Sequence, residues 1–233
     1  MSFRAPSDKS ATGSRTILRT RCPLRVGTWN VWTMLAPGSA RLLAEELSRA
    51  KVNIMALQEV RWSDAGETTV GDYHYLWSGP PEGQPHQAGV ALALDRESYQ
   101  ALVNWHPINS SLLVANFRHS FGKFSIVAVY APTDEASDHE KDAFYTRLEQ
   151  ALSLTHRKNL LLCLGDFNAV SGTDRSSVVG PAGSGIPNDN TDRLLGFCSG
   201  NGLRTYLGSW FQRRDIHRLT WFSNDGHTHS QGD

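Results

Sequence analysis

Five apolar residues in a row, Leu160 to Leu164, are followed at once by Gly165, Asp166 and, after one further residue, Asn168. An apolar run of this length predicts a strand that is buried on both faces. If the chain stays extended beyond Gly165, the side chains of Asp166 and Asn168 point the same way. A carboxylate and an amide at the end of a buried strand suit a functional site on a rigid scaffold. The alternative is a strand followed by an Asx turn, because Asp and Asn are common turn residues.

The order of the predicted elements favours an α/β fold of layered sheets, because strands and helices are interleaved along the chain. A strand, a helix and a second strand within about 35 residues fit a βα unit, in which Ser39 is the expected N-cap. The capping-box sequence Ser137–Glu140 predicts the start of a second helix. The predicted strands are 24–30, 54–57, 73–77, 90–94, 111–117, 123–130, 160–164 and 220–223, and a third helix is predicted over 191–198.

Composition and charge limit the class of protein. The 233 residues are 39% apolar, and no apolar run approaches the roughly 18 residues that a membrane-spanning helix needs. The formal net charge is zero, so a phosphate-rich partner would be met by a local basic patch or through a metal. Cys22, Cys163 and Cys198 lack the spacing of a zinc site and are odd in number. We therefore expect a reducing, intracellular environment.

Two segments have a local excess of basic residues. The segment 1–23 is predicted to be a disordered basic arm that precedes a folded domain over 24–233, and a transit peptide is the weaker alternative. The run from Trp210 to Arg218 combines aromatic residues with Arg213 and Arg214. Such a combination is suited to phosphate contact and base stacking. A solvated helix or loop face is the alternative for this run.

Polar side chains stand at the carboxyl ends of four predicted strands, where open α/β sheets bind ligands. The residues are Asn30, Glu59, Tyr130 and the pair Asp166 and Asn168. Glu59 is a hard oxygen ligand suited to Mg²⁺ or Mn²⁺, and Mg²⁺ commonly takes one or two carboxylates together with substrate phosphate. Asp166 is suited to orienting and deprotonating a water molecule. The neutral donors Asn30, Asn168 and Tyr130 are suited to phosphate oxygens that gain charge.

Each of these residues also has a purely structural interpretation. Glu59 is compatible with an ordinary salt bridge at a strand end. Tyr130 is compatible with a half-buried aromatic residue whose hydroxyl is satisfied, and Asn30 with a turn residue. The recurrence of polar residues at four strand ends favours the site.

Four motifs that contain these residues follow one another along the chain: Thr28-Trp29-Asn30-Val31, Leu57-Gln58-Glu59, Val129-Tyr130-Ala131-Pro132 and Gly165-Asp166-Phe167-Asn168. In this order and spacing they resemble the motifs of the endonuclease/exonuclease/phosphatase superfamily. They are similar in particular to the apurinic-endonuclease-like domain of non-LTR retrotransposons, as are the stretch 188–195 and the segment 221–226. The resemblance runs from about Leu24 to the end, and it implies a two-sheet sandwich flanked by helices with a Mg²⁺-dependent site.

The resemblance implies a role for each motif residue. Glu59 would hold Mg²⁺ or Mn²⁺ with Asn30 beside it, Asp166 would activate the attacking water, and Asn168 and Tyr130 would hold the scissile phosphate. It implies a DNA endonuclease that nicks target DNA, with DNA as its partner and a nuclear location. The alternatives are a phosphatase of the same superfamily acting on a lipid or sugar phosphate, and a catalytically inactive remnant that at most binds nucleic acid.

Asn190 and Asp233 carry a looser resemblance. Asn190, like Arg213 and Arg214, is a candidate contact for substrate phosphate. The segment Ser230–Asp233 is similar to a Ser-Gln-Ile-Asp motif in which the final Asp orients a histidine of a later Ser- or Thr-Asp-His triplet. Asp233 is therefore a candidate catalytic residue. Because that triplet does not follow, we expect the domain to be incomplete at its C-terminus and to lack its last strands.

Overall fold

The computed structural model describes residues 23–85, 87–120, 122–156, 158–172, 177–183, 185–205, 210, 219–222 and 229–231. Residues 1–22 of the predicted basic arm lie outside the described residues, as do Arg213, Arg214 and Asp233. The chain divides into two compact units. Unit 1 comprises Met1–Tyr130 and Leu148–Gly165, and unit 2 comprises Ala131–Arg147 and Asp166–Asp233.

Eleven strands and four helices are present among the described residues. The strands are β1 Val26–Asn30, β2 Ile54–Gln58, β3 Ala65–Val70, β4 Tyr73–Ser78, β5 Val90–Asp95, β6 Leu102–Asn109, β7 Leu112–His119, β8 Gly122–Tyr130, β9 Leu160–Asp166, β10 Leu219–Phe222 and β11 His229–Gln231. The helices are α1 Ser39–Ala50, α2 Arg96–Ala101, α3 Asp138–Leu152 and α4 Asp189–Asn201.

The strands of unit 1 form two sheets. The first has the order β1-β2-β5-β4-β3, in which β1 and β2 are parallel and the other neighbours are antiparallel. The second has the order β6-β7-β8-β9, with β6, β7 and β8 antiparallel. Because α1 connects the parallel strands β1 and β2, the predicted βα unit is confirmed. The register pairs Asn30 with Gln58, so these two strands end side by side.

The core of unit 1 follows from side-chain alternation along the strands. In β5, Leu92 and Leu94 pack between the two sheets, where Ile126 and Phe117 come from the second sheet. The intervening alanines of β5 face the other way, toward the apolar stripe of α1 that contains Leu43 and Leu47. The predicted class, two sheets flanked by helices, is thereby confirmed.

Strand β9 is less buried than the apolar run predicts. It is the edge strand of its sheet, Leu160 is 63% exposed, and Leu162 and Leu164 are only partly buried. The expectation of a strand buried on both faces is wrong here, because a strand paired on one side has less cover than a central one. The strand with that environment is β5, in which every residue from Val90 to Leu94 is fully buried.

The helix starts were predicted in part. Helix α1 has Gly38 as its N-cap, in the left-handed region at φ 88°, and Ser39 is its first residue instead of the cap. The capping box at Ser137 is confirmed, since Glu140 Oε2 accepts hydrogen bonds from the Ser137 backbone N–H at 2.9 Å and from its hydroxyl at 2.7 Å. Strands β3, β6 and β11 and the short helix α2 were not predicted.

In unit 2, ion pairs join α4 to residues 134–142. Lys141 is almost fully buried, and its Nζ donates to the carbonyl of Asp134 at 2.7 Å and to Asp189 Oδ2 at 3.0 Å. Arg193 of α4 pairs with Asp138 at 2.9 Å and also with Asp142 of α3. Strands β10 and β11 form a separate antiparallel pair. No helix in the described part of the chain has both the length and the apolar character needed to cross a bilayer.

Candidate functional site

The predicted site residues lie at strand ends, as the sequence indicates. Asn30, Tyr130 and Asp166 are the last residues of β1, β8 and β9, and Glu59 directly follows β2. The two units divide these residues: Asn30, Glu59 and Tyr130 belong to unit 1, whereas Asp166 belongs to unit 2 with Asn168 and Asn190. Each unit therefore holds its own hydrogen-bonded group.

In unit 1, three side chains converge on the carboxylate of Glu59. Glu59 Oε1 accepts hydrogen bonds from Asn30 Nδ2 at 2.8 Å and from the Tyr130 hydroxyl at 3.0 Å. Glu59 Oε2 lies 3.2 Å from the Arg61 guanidinium. We refer to Asn30, Glu59, Arg61 and Tyr130 as the Glu59 group. They come from the end of β1, the loop after β2 and the end of β8, so the packing of the two sheets brings them together.

Glu59 and Arg61 lie in a loop with an unusual main-chain conformation. Both are non-glycine residues in the left-handed region, at φ 57° and 61°. Such angles are uncommon and need support from the surrounding structure. The support here is main-chain pairing, since the Val60 N–H donates to the Gly89 carbonyl at 3.1 Å and the Arg61 N–H to the Ala88 carbonyl at 3.0 Å.

Within the Glu59 group, the carboxylate of Glu59 is the hard oxygen ligand of the kind that a divalent cation prefers. Its side chain is 15% exposed, and its charge is balanced by Arg61. Asn30 turns its amide nitrogen to Glu59, while its Oδ1 accepts the Trp32 N–H at 3.1 Å. Asn30 thus orients Glu59, and its predicted direct contact with a metal stays a prediction. No cluster of three or more His, Cys, Asp or Glu residues suited to a metal occurs among the described residues.

In unit 2, Asp166 and Asn168 form a tight turn. Asp166 Oδ1 accepts the Asn168 N–H at 2.9 Å, and Asn168 is left-handed at φ 49°. The chain therefore does not stay extended from Asp166 to Asn168, and the expectation that the two side chains point the same way for that reason is wrong. The Asn168 Nδ2 donates to the Ala131 carbonyl at 2.8 Å, which leaves its second amide hydrogen for another acceptor.

The start of α4 completes this second group. Asn190 is fully buried, and its Nδ2 donates to the carbonyls of Pro132 and Asn168, each at 3.0 Å. Asn188, the N-cap of α4, donates to the same Asn168 carbonyl at 3.0 Å. Asp166, Asn168, Asn188 and Asn190 are the Asp166 group below. The predicted contact between Asn190 and substrate phosphate stays a prediction.

Two members of these groups were missed in the sequence. Arg61 gave no signal beyond its closeness to Glu59, because its direction depends on two left-handed residues. Asn188 did carry a signal: it precedes Thr191 by three residues at the start of a helix, and a capping box joins the two. The predicted site residues Arg213, Arg214 and Asp233 lie outside the described residues.

The site residues also make the contacts that their purely structural interpretations predict. Asn30 and Asp166 each form an Asx turn, Glu59 is in a salt bridge, and the Tyr130 hydroxyl is satisfied. These contacts fix the directions of the polar groups. A turn or salt bridge at a strand end is therefore compatible with a functional site.

Known proteins share this sequence pattern and fold. The chain is 29% identical over 209 residues to craniofacial development protein 2 of Bos taurus, with 89% of this chain and 35% of that protein covered. The chain thus spans about a third of the length of this curated relative.

Solved structures show the same fold at low identity. The endonuclease domain of TRAS1, a telomere-specific non-LTR retrotransposon, is 18% identical with a TM-score of 0.59, over 91% of this chain and 82% of that chain. The apurinic endonuclease LMAP of Leishmania major is 12% identical with a TM-score of 0.57, over 76% of this chain and 66% of that chain. Residues 27–230 match the model of the Endonuclease/Exonuclease/phosphatase family, and the chain belongs to that family.

Proposed function

We propose that this chain is a Mg²⁺- or Mn²⁺-dependent phosphodiesterase that nicks DNA. The observation that supports this most is the convergence of Asn30 and Tyr130 on one oxygen of Glu59. A carboxylate fixed by neutral donors at the carboxyl ends of strands is suited to holding a hard cation. A DNA partner and a nuclear location belong to the same proposal.

In this proposal Glu59 holds the cation, and the Tyr130 hydroxyl that now donates to Glu59 turns to substrate phosphate. Mg²⁺ takes one or two carboxylates and completes its shell with water and substrate phosphate, so one fixed carboxylate is a suitable anchor. When bound, the cation polarises the phosphoryl oxygen and stabilises the leaving oxygen. Tyr130 has one hydroxyl hydrogen, which Glu59 accepts. That hydrogen becomes available to a phosphate oxygen once Glu59 no longer accepts it.

Asp166 is the proposed base for the attacking water. Its Oδ1 accepts the Asn168 N–H, which fixes the direction of the carboxylate. General-base catalysis of this kind contributes roughly 10²- to 10⁴-fold. The second amide hydrogen of Asn168 is suited to a phosphate oxygen that gains charge.

The proposal is tested by nicking of supercoiled plasmid with Mg²⁺. The wild-type chain is compared with Asp166→Ala and with Asp192→Ala, an exposed carboxylate of α4 that serves as a matched control. We expect nicking by the wild type and the control, and loss of nicking in Asp166→Ala and in the presence of a chelator.

The other outcomes identify the alternatives. Equal nicking by wild type and Asp166→Ala would contradict the role of Asp166. Phosphate release from a lipid or sugar phosphate without plasmid nicking would indicate a phosphatase. Absence of both activities, with plasmid binding that weakens steeply with salt, would indicate a protein that only binds nucleic acid, because multiple phosphate contacts give a steep salt dependence.

A further inference from the structure

Two asparagines of α4 bind the same main-chain carbonyl of the Asp166 group. Asn188 Nδ2 and Asn190 Nδ2 each lie 3.0 Å from the oxygen of Asn168. A carbonyl oxygen has two lone pairs, so these two bonds saturate it. Because the acceptor is an oxygen, only the amide nitrogens can face it, which settles the orientation of both side chains.

The residue held in this way has an unusual conformation. Asn168 is left-handed at φ 49°, a region that non-glycine residues occupy only with support. The same residue directs its N–H to Asp166 Oδ1 and its side chain to the Ala131 carbonyl. The conformation of Asn168 thus determines both the support of Asp166 and the direction of the Asn168 amide.

The burial of Asn190 indicates that its side chain is there for the two hydrogen bonds that it donates. Asn190 is fully buried, and its Oδ1 has no hydrogen-bond partner within the described part of the chain. A buried polar atom without a partner is unfavourable, and an apolar side chain would avoid it. The benefit of an amide at this position lies in the hydrogen bonds to Asn168 and to Pro132.

We infer that Asn188 and Asn190 are positioning residues, which act on Asp166 and Asn168 through the Asn168 carbonyl. This inference rests on the proposed function, since Asp166 and Asn168 have catalytic roles only there. It assigns Asn190 a role that needs no contact with substrate. It also gives the N-cap of α4 a second role besides the helix start.

The two roles of Asn188 are separable by substitution. Its Oδ1 accepts the Thr191 N–H at 3.0 Å, which is the capping bond, and its Nδ2 makes the positioning bond. Asn188→Ser keeps a good N-cap acceptor and removes the amide N–H that donates to Asn168. Asn188→Ala removes both. Asn201→Ser is the matched control, because Asn201 lies in the same helix and donates to the Phe197 carbonyl instead.

The experiment measures kcat and KM for plasmid nicking together with the melting temperature. We expect Asn188→Ser and Asn190→Ser each to lower kcat about tenfold or more with KM within about twofold, because small displacements of reacting groups are costly. The amide hydrogen of Asn168 should also exchange faster in both variants. Asn201→Ser should nick at the wild-type rate.

The results that overturn the inference differ from those that overturn the proposed function. If Asn188→Ser keeps the wild-type kcat and only Asn188→Ala is impaired, Asn188 is only a helix cap and the inference fails. If Asn190→Ser keeps the wild-type kcat, its part fails likewise. If the wild-type chain does not nick DNA, the proposed function fails, and the catalytic meaning of the positioning bonds fails with it.

Discussion

The Glu59 group and the Asp166 group begin with the same turn. Asn30 ends β1 and accepts the N–H of Trp32, and Asp166 ends β9 and accepts the N–H of Asn168. In both turns the residue that donates is left-handed, at φ 61° for Trp32 and 49° for Asn168. The carboxylate of the first group, on Glu59, lies outside the turn, whereas that of the second, on Asp166, belongs to it. The two groups also differ in what supports the carboxylate.

In the Glu59 group, side chains support the carboxylate. Its partners are the amide of Asn30, the hydroxyl of Tyr130 and the guanidinium of Arg61. In the Asp166 group, Asp166 is itself the turn residue, and the α4 asparagines hold the main chain of the turn. Side-chain partners can move away when a cation binds, whereas a turn in the main chain stays fixed. Under the proposed function, we therefore expect Glu59 to respond to a divalent cation and Asp166 to keep its position.

The largest expected effect distinguishes the two carboxylates by their response to Mg²⁺. Asp166→Asn should lower kcat for nicking by roughly 10²- to 10⁴-fold at every Mg²⁺ concentration, because it removes the proposed general base. Glu59→Gln should lose comparable activity at low Mg²⁺ and regain part of it as Mg²⁺ is raised, because it removes the proposed metal ligand. Nicking rates over a Mg²⁺ titration measure both.

Asp192→Asn is the control for the same titration, since Asp192 is an exposed residue of α4. Recovery of Asp166→Asn by high Mg²⁺, with no recovery of Glu59→Gln, would reverse the two assigned roles.

A second prediction concerns the close main-chain approach just before Asp166. A Cβ atom at Gly165 would lie 1.9 Å from the Val129 carbonyl oxygen, so Gly165→Ala forces β8 and β9 apart. We expect a loss of about 1–3 kcal/mol in the free energy of unfolding. In Gly196→Ala nothing lies within 4 Å of the added Cβ in α4, and we expect a gain of about 0.5–1 kcal/mol.

Urea unfolding of the two glycine variants beside the wild type gives both values. If Gly165→Ala were as stable as the wild type, β8 and β9 would tolerate the added Cβ atom, and their close approach would not contribute to stability.

A third prediction concerns the positive charge of Arg61 in the Glu59 group. The Arg61 guanidinium lies 3.2 Å from Glu59 Oε2, so under the proposed function Arg61 would compete with a divalent cation for that oxygen. Arg61→Ala should lower the Mg²⁺ concentration for half-maximal nicking a few-fold, because a partly exposed ion pair contributes at most about 1 kcal/mol. Arg61→Lys keeps the charge and should change this concentration less. A requirement for more Mg²⁺ in Arg61→Ala would show that Arg61 supports the metal site.

The sequence predicted the elements with strong apolar periodicity and the residues at their ends. The βα unit, β8 and the capping box at Ser137 follow from local pattern. Strand β3, with the sequence Ala-Gly-Glu-Thr-Thr-Val, has no apolar face and was missed for that reason. Strand β9 was predicted, but its place at the sheet edge depends on pairing partners that a local pattern does not specify.

The candidate site residues were predicted from local pattern as well. Asn30, Glu59 and Tyr130 stand at or directly after strand ends, and the packing of the two sheets brings these ends together. The contacts of Arg61 and Asn188 depend on loop dihedral angles and on the docking of α4, which arise from tertiary packing. Sequence reasoning therefore identified the residues at and just beyond strand ends and missed these two.

The smallest expected effect is electrostatic and concerns the helix that supports the Asp166 group. Hydrogen bonds from Lys141 and then Arg193 lower the pKa of Asp189 below its ordinary value. A carboxyl group with a lower pKa in the folded state adds stability at neutral pH, and this stability is lost as the pH falls through that pKa. Asp189→Asn should thus be less stable than the wild type at pH 7, because it also leaves the buried Lys141 without this partner. The difference in urea midpoint should shrink as the pH falls below about 4, the ordinary pKa of Asp, and then through the lower pKa of Asp189. An undiminished difference at acid pH would show that the packing of α4, and not the charge of Asp189, holds the helix beside Asn168.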